Sequence, residues 1–300
     1  MLMTAPDLRG NGVALVTPFN PDFSIDFTAL ENIINHIVNG KSDFIVVLGT
    51  TGEAAVLSLE EKLRLIAFVK KTVGGRLPLV LGYGGISTSE LDSGFPHYDF
   101  EGIEAILSVT PFYVKPSQEG LRRHYTAIAD ASPRPVILYN VPGRTGVNLL
   151  PETTLALAGH PNIIGVKEAS GKLFQIEEIL MNKPDDFLLF SGDDALTYHL
   201  MGLGADGVIS VMANAFPAKI TAIVNGAAGE AAVASRARST HFDLKWLTKA
   251  VFADGNPCGI KYVLSRLGLC KNVLRLPLVP VSDKTARDID RLLSSQDSAE

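Results

Sequence analysis

The chain has 300 residues and a formal net charge of -5, which excludes the basic surface that nucleic-acid binding requires. Hydrophobic residues make up 46% of the chain and charged residues 20%, a balance typical of a well-packed globular protein and not of a disordered or fibrous one. No apolar run approaches the ~20 residues that span a bilayer, and the first residues lack a secretion-signal pattern. We therefore expect a cytoplasmic protein whose partners are small molecules, with no nucleic acid and no membrane among them.

Short apolar runs rich in β-branched residues recur along the chain, and each interval leaves room for one amphipathic helix. Eight such runs favour a closed (β/α)8 barrel over an open doubly wound sheet, which usually stops at five or six strands. The predicted strands are Val13–Val16, Phe44–Leu48, Pro78–Leu81, Ala105–Val109, Val136–Tyr139, Ile163–Lys167, Phe187–Ser191 and Gly207–Ser210.

The intervening segments carry helical patterns. Leu59–Val73 is preceded by Ser58 and has Glu61 at the third helical position, a capping-box pattern. Thr88–Phe100 is interrupted by Gly94 and Pro96. Beyond the eighth strand an Ala-, Arg- and Leu-rich pattern with a break at residues 255–257 predicts a helical extension. The sequence thus divides into a barrel catalytic domain, residues 1–225, and a C-terminal helical extension, residues 226–300. The other predicted helices are Gln118–Ala131, Pro151–Ala158, Lys172–Asn182 and Asp194–Leu200.

Catalytic residues of such barrels lie where strands end, and Lys167 ends the sixth predicted strand. Strand alternation aims this side chain into the barrel mouth, where an ammonium group lacks solvation. Either a carboxylate of Glu168 or Asp193 pairs with it, or its pKa falls and it becomes the nucleophilic amine that imine chemistry needs.

Other polar groups follow neighbouring strands. Tyr139 could transfer protons with the hydroxyls of Thr51 and Tyr113 as relay partners, or it could be a buried tyrosine with one satisfied hydroxyl. The turn Gly49–Glu53 offers two hydroxyls and backbone N–H groups that could hold a carboxylate; a plain glycine turn is the alternative. Arg144 could clamp a second carboxylate or lie on the surface.

Nothing in the sequence predicts a metal or a cofactor. The six histidines lack metal-site spacing, and the glycine-rich strings match neither nucleotide-binding pattern. Cys258 and Cys270 are expected to be free thiols.

Taken in chain order, these motifs resemble the dihydrodipicolinate synthase and N-acetylneuraminate lyase family over nearly the whole chain. The segments that carry the resemblance are Gly49–Glu53, Thr110–Gly120, Tyr139–Gly146 and Gly165–Ser170.

The resemblance implies that Lys167 forms an imine with pyruvate while Thr50 and Thr51 hold the pyruvate carboxylate. It further implies that Tyr139 shuttles protons through Thr51 to Tyr113 of a partner subunit in a homotetramer. The resulting enamine would attack L-aspartate 4-semialdehyde, whose carboxylate Arg144 would meet, and ring closure would give 4-hydroxy-tetrahydrodipicolinate for lysine and diaminopimelate synthesis. Gly192 and Ile209 match positions that line the same site, near the second substrate and beside pyruvate.

One departure from the family pattern lies in its effector pocket. Members that lysine inhibits carry histidine, asparagine and tyrosine where this chain has Lys62, Ile86 and Phe112, although Glu90 matches. An added cation should disfavour a dibasic effector, so weak or absent lysine inhibition is expected.

Two alternatives remain open from the sequence. One is a 2-keto-acid aldolase or lyase that uses the same lysine, of the N-acetylneuraminate lyase or 2-keto-3-deoxy sugar acid aldolase type. The other is a non-catalytic small-molecule binder on the same barrel.

Overall fold

The computed structural model describes residues 7–297, with side chains to residue 294, and its centre is a closed barrel of eight parallel strands. Each strand pairs with the next along the chain, and β8 returns to pair with β1. The (β/α)8 barrel predicted from the sequence is confirmed. The strands are β1 Gly10–Ala14, β2 Phe44–Val47, β3 Leu79–Gly82, β4 Ala105–Val109, β5 Val136–Asn140, β6 Ile163–Glu168, β7 Leu188–Ser191 and β8 Gly207–Ser210.

Helices surround the barrel, and in the described part of the chain three more follow it. The barrel helices are α1 Phe27–Asn39, α2 Leu59–Val73, α3 Thr88–Gly94, α4 Gln118–Ala131, α5 Pro142–Thr145, α6 Pro151–Ala158, α7 Leu173–Asn182, α8 Thr197–Gly202 and α9 Pro217–Gly226. The extension consists of α10 Ala231–Val251, α11 Cys258–Arg266 and α12 Asp283–Asp297. Within residues 7–297 no helix combines the length and the apolar character needed to cross a membrane.

Local capping explains why several helix limits agree with the sequence pattern. At the start of α2 the Ser58 hydroxyl accepts a hydrogen bond from the Glu61 N–H, and the Glu61 carboxylate accepts one from the Ser58 N–H. The interrupted pattern predicted over Thr88–Phe100 forms α3 and then a short 3-10 turn, because Pro96 cannot continue the hydrogen-bond ladder.

Two predicted elements are displaced in the structure. The first strand was expected at Val13–Val16 and lies at Gly10–Ala14, where the Phe44 ring fills the space beside Gly12 and leaves no room for a side chain. The helix expected from Asp194 begins at Thr197. Asp194 is buried instead and accepts hydrogen bonds from the Ser210 hydroxyl and the Val211 N–H, which ties the loop after β7 to the loop after β8.

The extension shares a hydrophobic core with the barrel. Leu247 in α10, Ile260 in α11 and Ile289 in α12 are fully buried, and they belong to one apolar cluster with residues of α1 and α2. The boundary expected between residues 225 and 226 lies at the last residue of α9. Burial of this kind holds the start of α11 against the open end of the barrel.

An extra residue in β6 sets the orientation of the end of that strand. Val136 pairs with Ile163, but the next residue, Ile137, pairs with Gly165, so Ile164 is additional. Ile164 consequently packs inside the barrel although Ile163 and Val166 both pack in the outer layer. A regular strand starting at Ile163 would have pointed residue 167 outward; the extra residue points it inward.

Candidate active site

Lys167 lies near the carboxyl end of β6, and its side chain enters the barrel mouth. The residue is 5% exposed, and its Nζ lies 4.5 Å from the centroid of the Tyr139 ring. Among the side chains that the structure describes, no carboxylate lies within ion-pair distance of Nζ. The pairing with Glu168 or Asp193 that the sequence left open is therefore absent, and the amine faces a cavity.

Glu168 stays away from Lys167 because consecutive strand residues point to opposite faces. Its carboxylate accepts hydrogen bonds from Asn140 Nδ2 at 3.0 Å, Ser170 N at 2.7 Å and Gln175 Nε2 at 3.1 Å. Burial raises the pKa of the Glu168 carboxyl, and these three donors oppose the rise. The acid is thus held in the outer layer, where it cannot neutralise the lysine.

Tyr139 occupies the matching position on the neighbouring strand. It pairs with Lys167 in the register between β5 and β6, which sets the two side chains next to each other inside the barrel. The ring is 7% exposed and packs in the inner apolar cluster with Ile209. Since its face covers Nζ, the phenol is close to any carbonyl carbon that the amine attacks.

The two threonines after β2 line different cavities. They begin a 3-10 turn, Thr50–Gly52, in which Thr51 is 2% exposed and Thr50 is exposed. Thr51 lines a cavity of about 1090 Å³ together with Lys167 and Tyr139; we call it the lysine cavity. Thr50 lines a second cavity of about 670 Å³ with Tyr139 and Phe112.

Arg144 lies in α5, just beyond β5, and lines both cavities. Its guanidinium donates a 3.2 Å hydrogen bond to the backbone oxygen of Asn256. The rest of the side chain is exposed, so donors remain for a ligand.

Asn256 is a site residue that our reading of the sequence did not identify. It precedes α11 in the C-terminal extension, is 6% exposed and lines both cavities. Its Nδ2 donates a 2.9 Å hydrogen bond to the Thr51 hydroxyl oxygen. The sequence showed a turn at residues 255–257, but no local pattern could place it beside a loop 205 residues earlier.

Gly192 borders the lysine, whereas Ile209 is part of the inner apolar cluster. A Cβ on Gly192 would lie 2.6 Å from the Ala169 Cβ and 3.1 Å from the Lys167 Cε, so glycine leaves the space that the lysine chain occupies. Gly192 also lines the lysine cavity. Ile209 is 1% exposed in the inner apolar cluster.

Tyr113 does not join these residues within the chain. It lies in the loop after β4 at a φ of 70° and is 85% exposed, although its backbone N–H is bonded to the Thr145 oxygen at 3.2 Å. Neither cavity is lined by it.

The candidate site so far contains an amine, a phenol, a hydroxyl and a guanidinium around one cavity. Within residues 7–297 no three His, Cys, Asp or Glu side chains are grouped to hold a metal ion. The arrangement fits covalent chemistry on the lysine with anionic ligands held by Thr51 and Arg144.

Comparison with known proteins gives matches that span the chain. The profile of the Dihydrodipicolinate synthetase family matches residues 7–296. The 4-hydroxy-tetrahydrodipicolinate synthase of Parabacteroides distasonis is 48% identical over 293 residues, 96% of this chain and 98% of the relative. The enzyme of the same name from Flavobacterium psychrophilum is 45% identical over 282 residues, 94% of this chain and 96% of the relative.

Solved structures of proteins with the same family name superimpose on this chain over nearly its whole length. The crystal structure of dihydrodipicolinate synthase from Aquifex aeolicus superimposes with a TM-score of 0.91 at 36% identity, covering 97% of this chain and 98% of that one. The crystal structure of the synthase from Thermotoga maritima gives a TM-score of 0.92 at 35% identity, with 97% and 99% covered. The resemblance read from the motifs is confirmed, and the chain belongs to the dihydrodipicolinate synthetase family.

Proposed function

We propose that this protein is a 4-hydroxy-tetrahydrodipicolinate synthase, a lyase that condenses pyruvate with L-aspartate 4-semialdehyde in lysine and diaminopimelate synthesis. The observation that carries the proposal is the buried amine of Lys167, which faces the lysine cavity with the Tyr139 ring 4.5 Å away and no carboxylate partner among the described side chains. Family membership and relatives of this name at 42–48% identity support it.

The first half of the reaction uses the lysine as a nucleophile. The neutral amine attacks the keto carbon of pyruvate, and loss of water from the carbinolamine gives an imine. Tyr139 is the acid-base group that we assign to these proton transfers, since it is the titratable side chain beside Nζ. The Thr51 hydroxyl and the backbone N–H groups of Thr50 and Thr51 hold the pyruvate carboxylate, since the Gly52 N–H already donates to the Gly49 oxygen.

The second half joins the two substrates. Loss of a methyl proton turns the imine into an enamine, whose carbon attacks the aldehyde of the semialdehyde. The substrate's own amine then adds to the imine carbon and displaces Lys167, which closes the ring and frees the enzyme. In this proposal Arg144, which lines the cavity, pairs with the semialdehyde carboxylate, and Gly192 leaves space for the second substrate. Ile209, in the inner apolar cluster with Tyr139, supports the pyruvate end.

The proton relay that we propose runs through Thr50, in place of the Thr51 expected from the sequence. Thr50 shares the second cavity with Tyr139 and Phe112, and Phe112 precedes Tyr113. In a homotetramer the exposed Tyr113 of one subunit would complete the relay of its neighbour. The proposal therefore includes a homotetramer, and we place it in the cytoplasm.

Imine trapping tests whether the buried Lys167 amine reacts with pyruvate. Borohydride added with pyruvate should reduce the imine and fix a three-carbon acid on Lys167, detected by peptide mass spectrometry. The Lys167→Arg variant keeps the positive charge and should give no adduct and no turnover. An adduct on another lysine, or none on the native protein, contradicts the proposal.

A substrate comparison separates this function from the related aldolases. A coupled assay should show turnover of pyruvate with L-aspartate 4-semialdehyde, and not cleavage of N-acetylneuraminate or 2-keto-3-deoxy sugar acids. Arg144→Ala should lower kcat/KM for the semialdehyde by about 100-fold, since a bidentate charge-assisted contact is lost, while imine trapping with pyruvate persists. Equal losses for both substrates would argue against this assignment of Arg144.

A further inference from the structure

The Thr51 hydroxyl is held in one orientation by the C-terminal extension. A hydroxyl has one proton to donate and two lone pairs to accept with. The Thr51 oxygen accepts a 2.9 Å hydrogen bond from Asn256 Nδ2, and no described residue accepts the Thr51 proton. The proton is therefore available to a ligand in the lysine cavity, which Thr51 lines.

Asn256 is itself fixed. It is 6% exposed, and its backbone oxygen accepts the 3.2 Å hydrogen bond from Arg144. Its Oδ1 is buried without a partner among the described residues, so the hydrogen bond to Thr51 is the one that fixes the side-chain amide. One residue thereby contacts both the threonine proposed for the pyruvate carboxylate and the arginine proposed for the second substrate.

We propose that Asn256 is a positioning residue for pyruvate binding: by donating to the Thr51 oxygen it directs the Thr51 proton toward the pyruvate carboxylate. Were the residue an acceptor instead, the Thr51 proton would turn toward it and leave the substrate with an oxygen lone pair, which repels a carboxylate. This inference rests on the proposed function and adds to it a residue that acts through another.

Two substitutions of Asn256 distinguish a role in orienting the Thr51 hydroxyl from a role in packing alone. Asn256→Ala removes the donor, and KM for pyruvate should rise about 10-fold with kcat within about 3-fold, the size of one lost hydrogen bond. Asn256→Asp keeps the shape but presents an acceptor, and KM should rise at least about 10-fold further. Thermal unfolding establishes that both variants are folded; Asn256→Ser, the smaller change, replaces Asn256→Ala if that variant is not.

A double-mutant cycle with Thr51→Val tests whether Asn256 acts through Thr51. The apparent dissociation constant for pyruvate is read from the concentration dependence of borohydride trapping, which needs no turnover. In the Thr51→Val background Asn256→Ala should change this constant by less than about 2-fold. An equal change in both backgrounds overturns the proposal, since the residue would then act by packing alone.

The proposed direction of the hydrogen bond, from Asn256 to the Thr51 oxygen, is tested separately by Asn256→Asp. If Asn256→Asp binds pyruvate as the native protein does, the Thr51 hydroxyl donates to residue 256, opposite to the proposal. Failure of the native protein to form any pyruvate adduct would instead refute the proposed function, so the two failures are distinguishable.

Discussion

The position of the Lys167 side chain depends on two nearby glycines as well as on its own strand. Gly165 allows Leu188 of β7 to approach, because a Cβ there would lie 2.5 Å from the Leu188 oxygen. Gly192 leaves space beside the lysine chain itself. Glycine at position 165 lets the backbones of β6 and β7 approach each other, and glycine at position 192 leaves room for the Lys167 side chain. Larger residues would prevent both.

Replacing Gly192 by alanine tests this crowding. The added methyl would meet the Ala169 Cβ at 2.6 Å and the Lys167 Cε at 3.1 Å. We expect the lysine to shift and kcat/KM for pyruvate to fall about 10- to 100-fold, because small misplacements of a reacting group are costly. Steady-state kinetics measures the loss. Gly202→Ala is the matched control, since nothing lies within 4 Å of its added Cβ; equal losses in both variants would contradict the explanation.

The residues that the sequence identified are those at strand ends, where the rule for parallel barrels applies. Lys167, Tyr139 and Thr51 could be found this way, and the structure brings them to one cavity. Asn256 could not be found, because its proximity to Thr51 depends on how the extension folds back. Glu168 could not be dismissed as a partner of Lys167 until the strand faces were known.

At the scale of elements, helix limits were predicted well where local chemistry sets them. Leu59–Val73 and Gln118–Ala131 match the structure residue for residue, and each begins after a serine cap. β1 was displaced because Gly12 faces the Phe44 ring, so apolar periodicity does not mark this strand. The extra residue of β6 has no local signature, although it determines which face Lys167 takes.

The contact between α2 and the extension predicts a pH-dependent contribution to stability. Arg275 donates to the Glu61 carboxylate at 2.5 and 2.8 Å, and this pairing lowers the pKa of Glu61 from 4.5 to about 2. Because the folded-state pKa is depressed, the stabilisation is present above the unfolded value and is lost as pH falls from about 4.5 toward 2.

Glu61→Gln isolates this ion pair, since glutamine can keep the capping-box bond to Ser58. The free energy of unfolding should fall by about 1–2 kcal/mol at pH 7, a partly exposed pair being screened by solvent. The difference from the native protein should shrink below pH 4. Urea unfolding at pH 7, 4 and 3 measures it, with Glu60→Gln in the same first turn as the control. A deficit as large at pH 3 as at pH 7 would rule out the ion pair as its cause.

At the scale of the molecule, a local positive charge stands out against a net charge of -5. Lys245 and Lys249 of α10 line the lysine cavity, and each Nζ lies 5.5 Å from the ring of the exposed Trp246. Neither forms an ion pair with another described residue. Unpaired cations at a cavity entrance attract anions more strongly than their number suggests, because the low-dielectric walls focus the field.

This entrance predicts a salt-dependent rate. Neutralising both lysines, Lys245→Gln with Lys249→Gln, should lower kcat/KM for pyruvate about 3- to 10-fold at low ionic strength, and the difference should shrink near 0.5 M salt, where screening is within about 5 Å. The zwitterionic semialdehyde should be affected less. The control is Lys41→Gln with Lys71→Gln, an equal change of net charge at the opposite end of the barrel. A loss that salt does not reduce would contradict an electrostatic cause.

The second cavity carries a prediction about regulation. Lys62 and Glu90 both line it, so a dibasic ligand would meet the basic Lys62 side chain there. Burial lowers the pKa of the Lys62 amine. We expect free lysine to inhibit weakly or not at all. A lysine titration of the coupled assay measures this, and inhibition at micromolar concentrations would contradict it.

The dependence of Thr51 on Asn256 has a consequence for how the enzyme comes into being. A ribosome delivers the eight strands before the segment at residue 256, and N-terminal parts of a chain begin to fold first. A barrel formed at that stage would already contain the Lys167 amine, but its Thr51 hydroxyl would lack the hydrogen bond from Asn256. On the proposed function, the pocket for the keto acid is therefore completed only once the segment at residue 256 has been synthesised, after all eight strands.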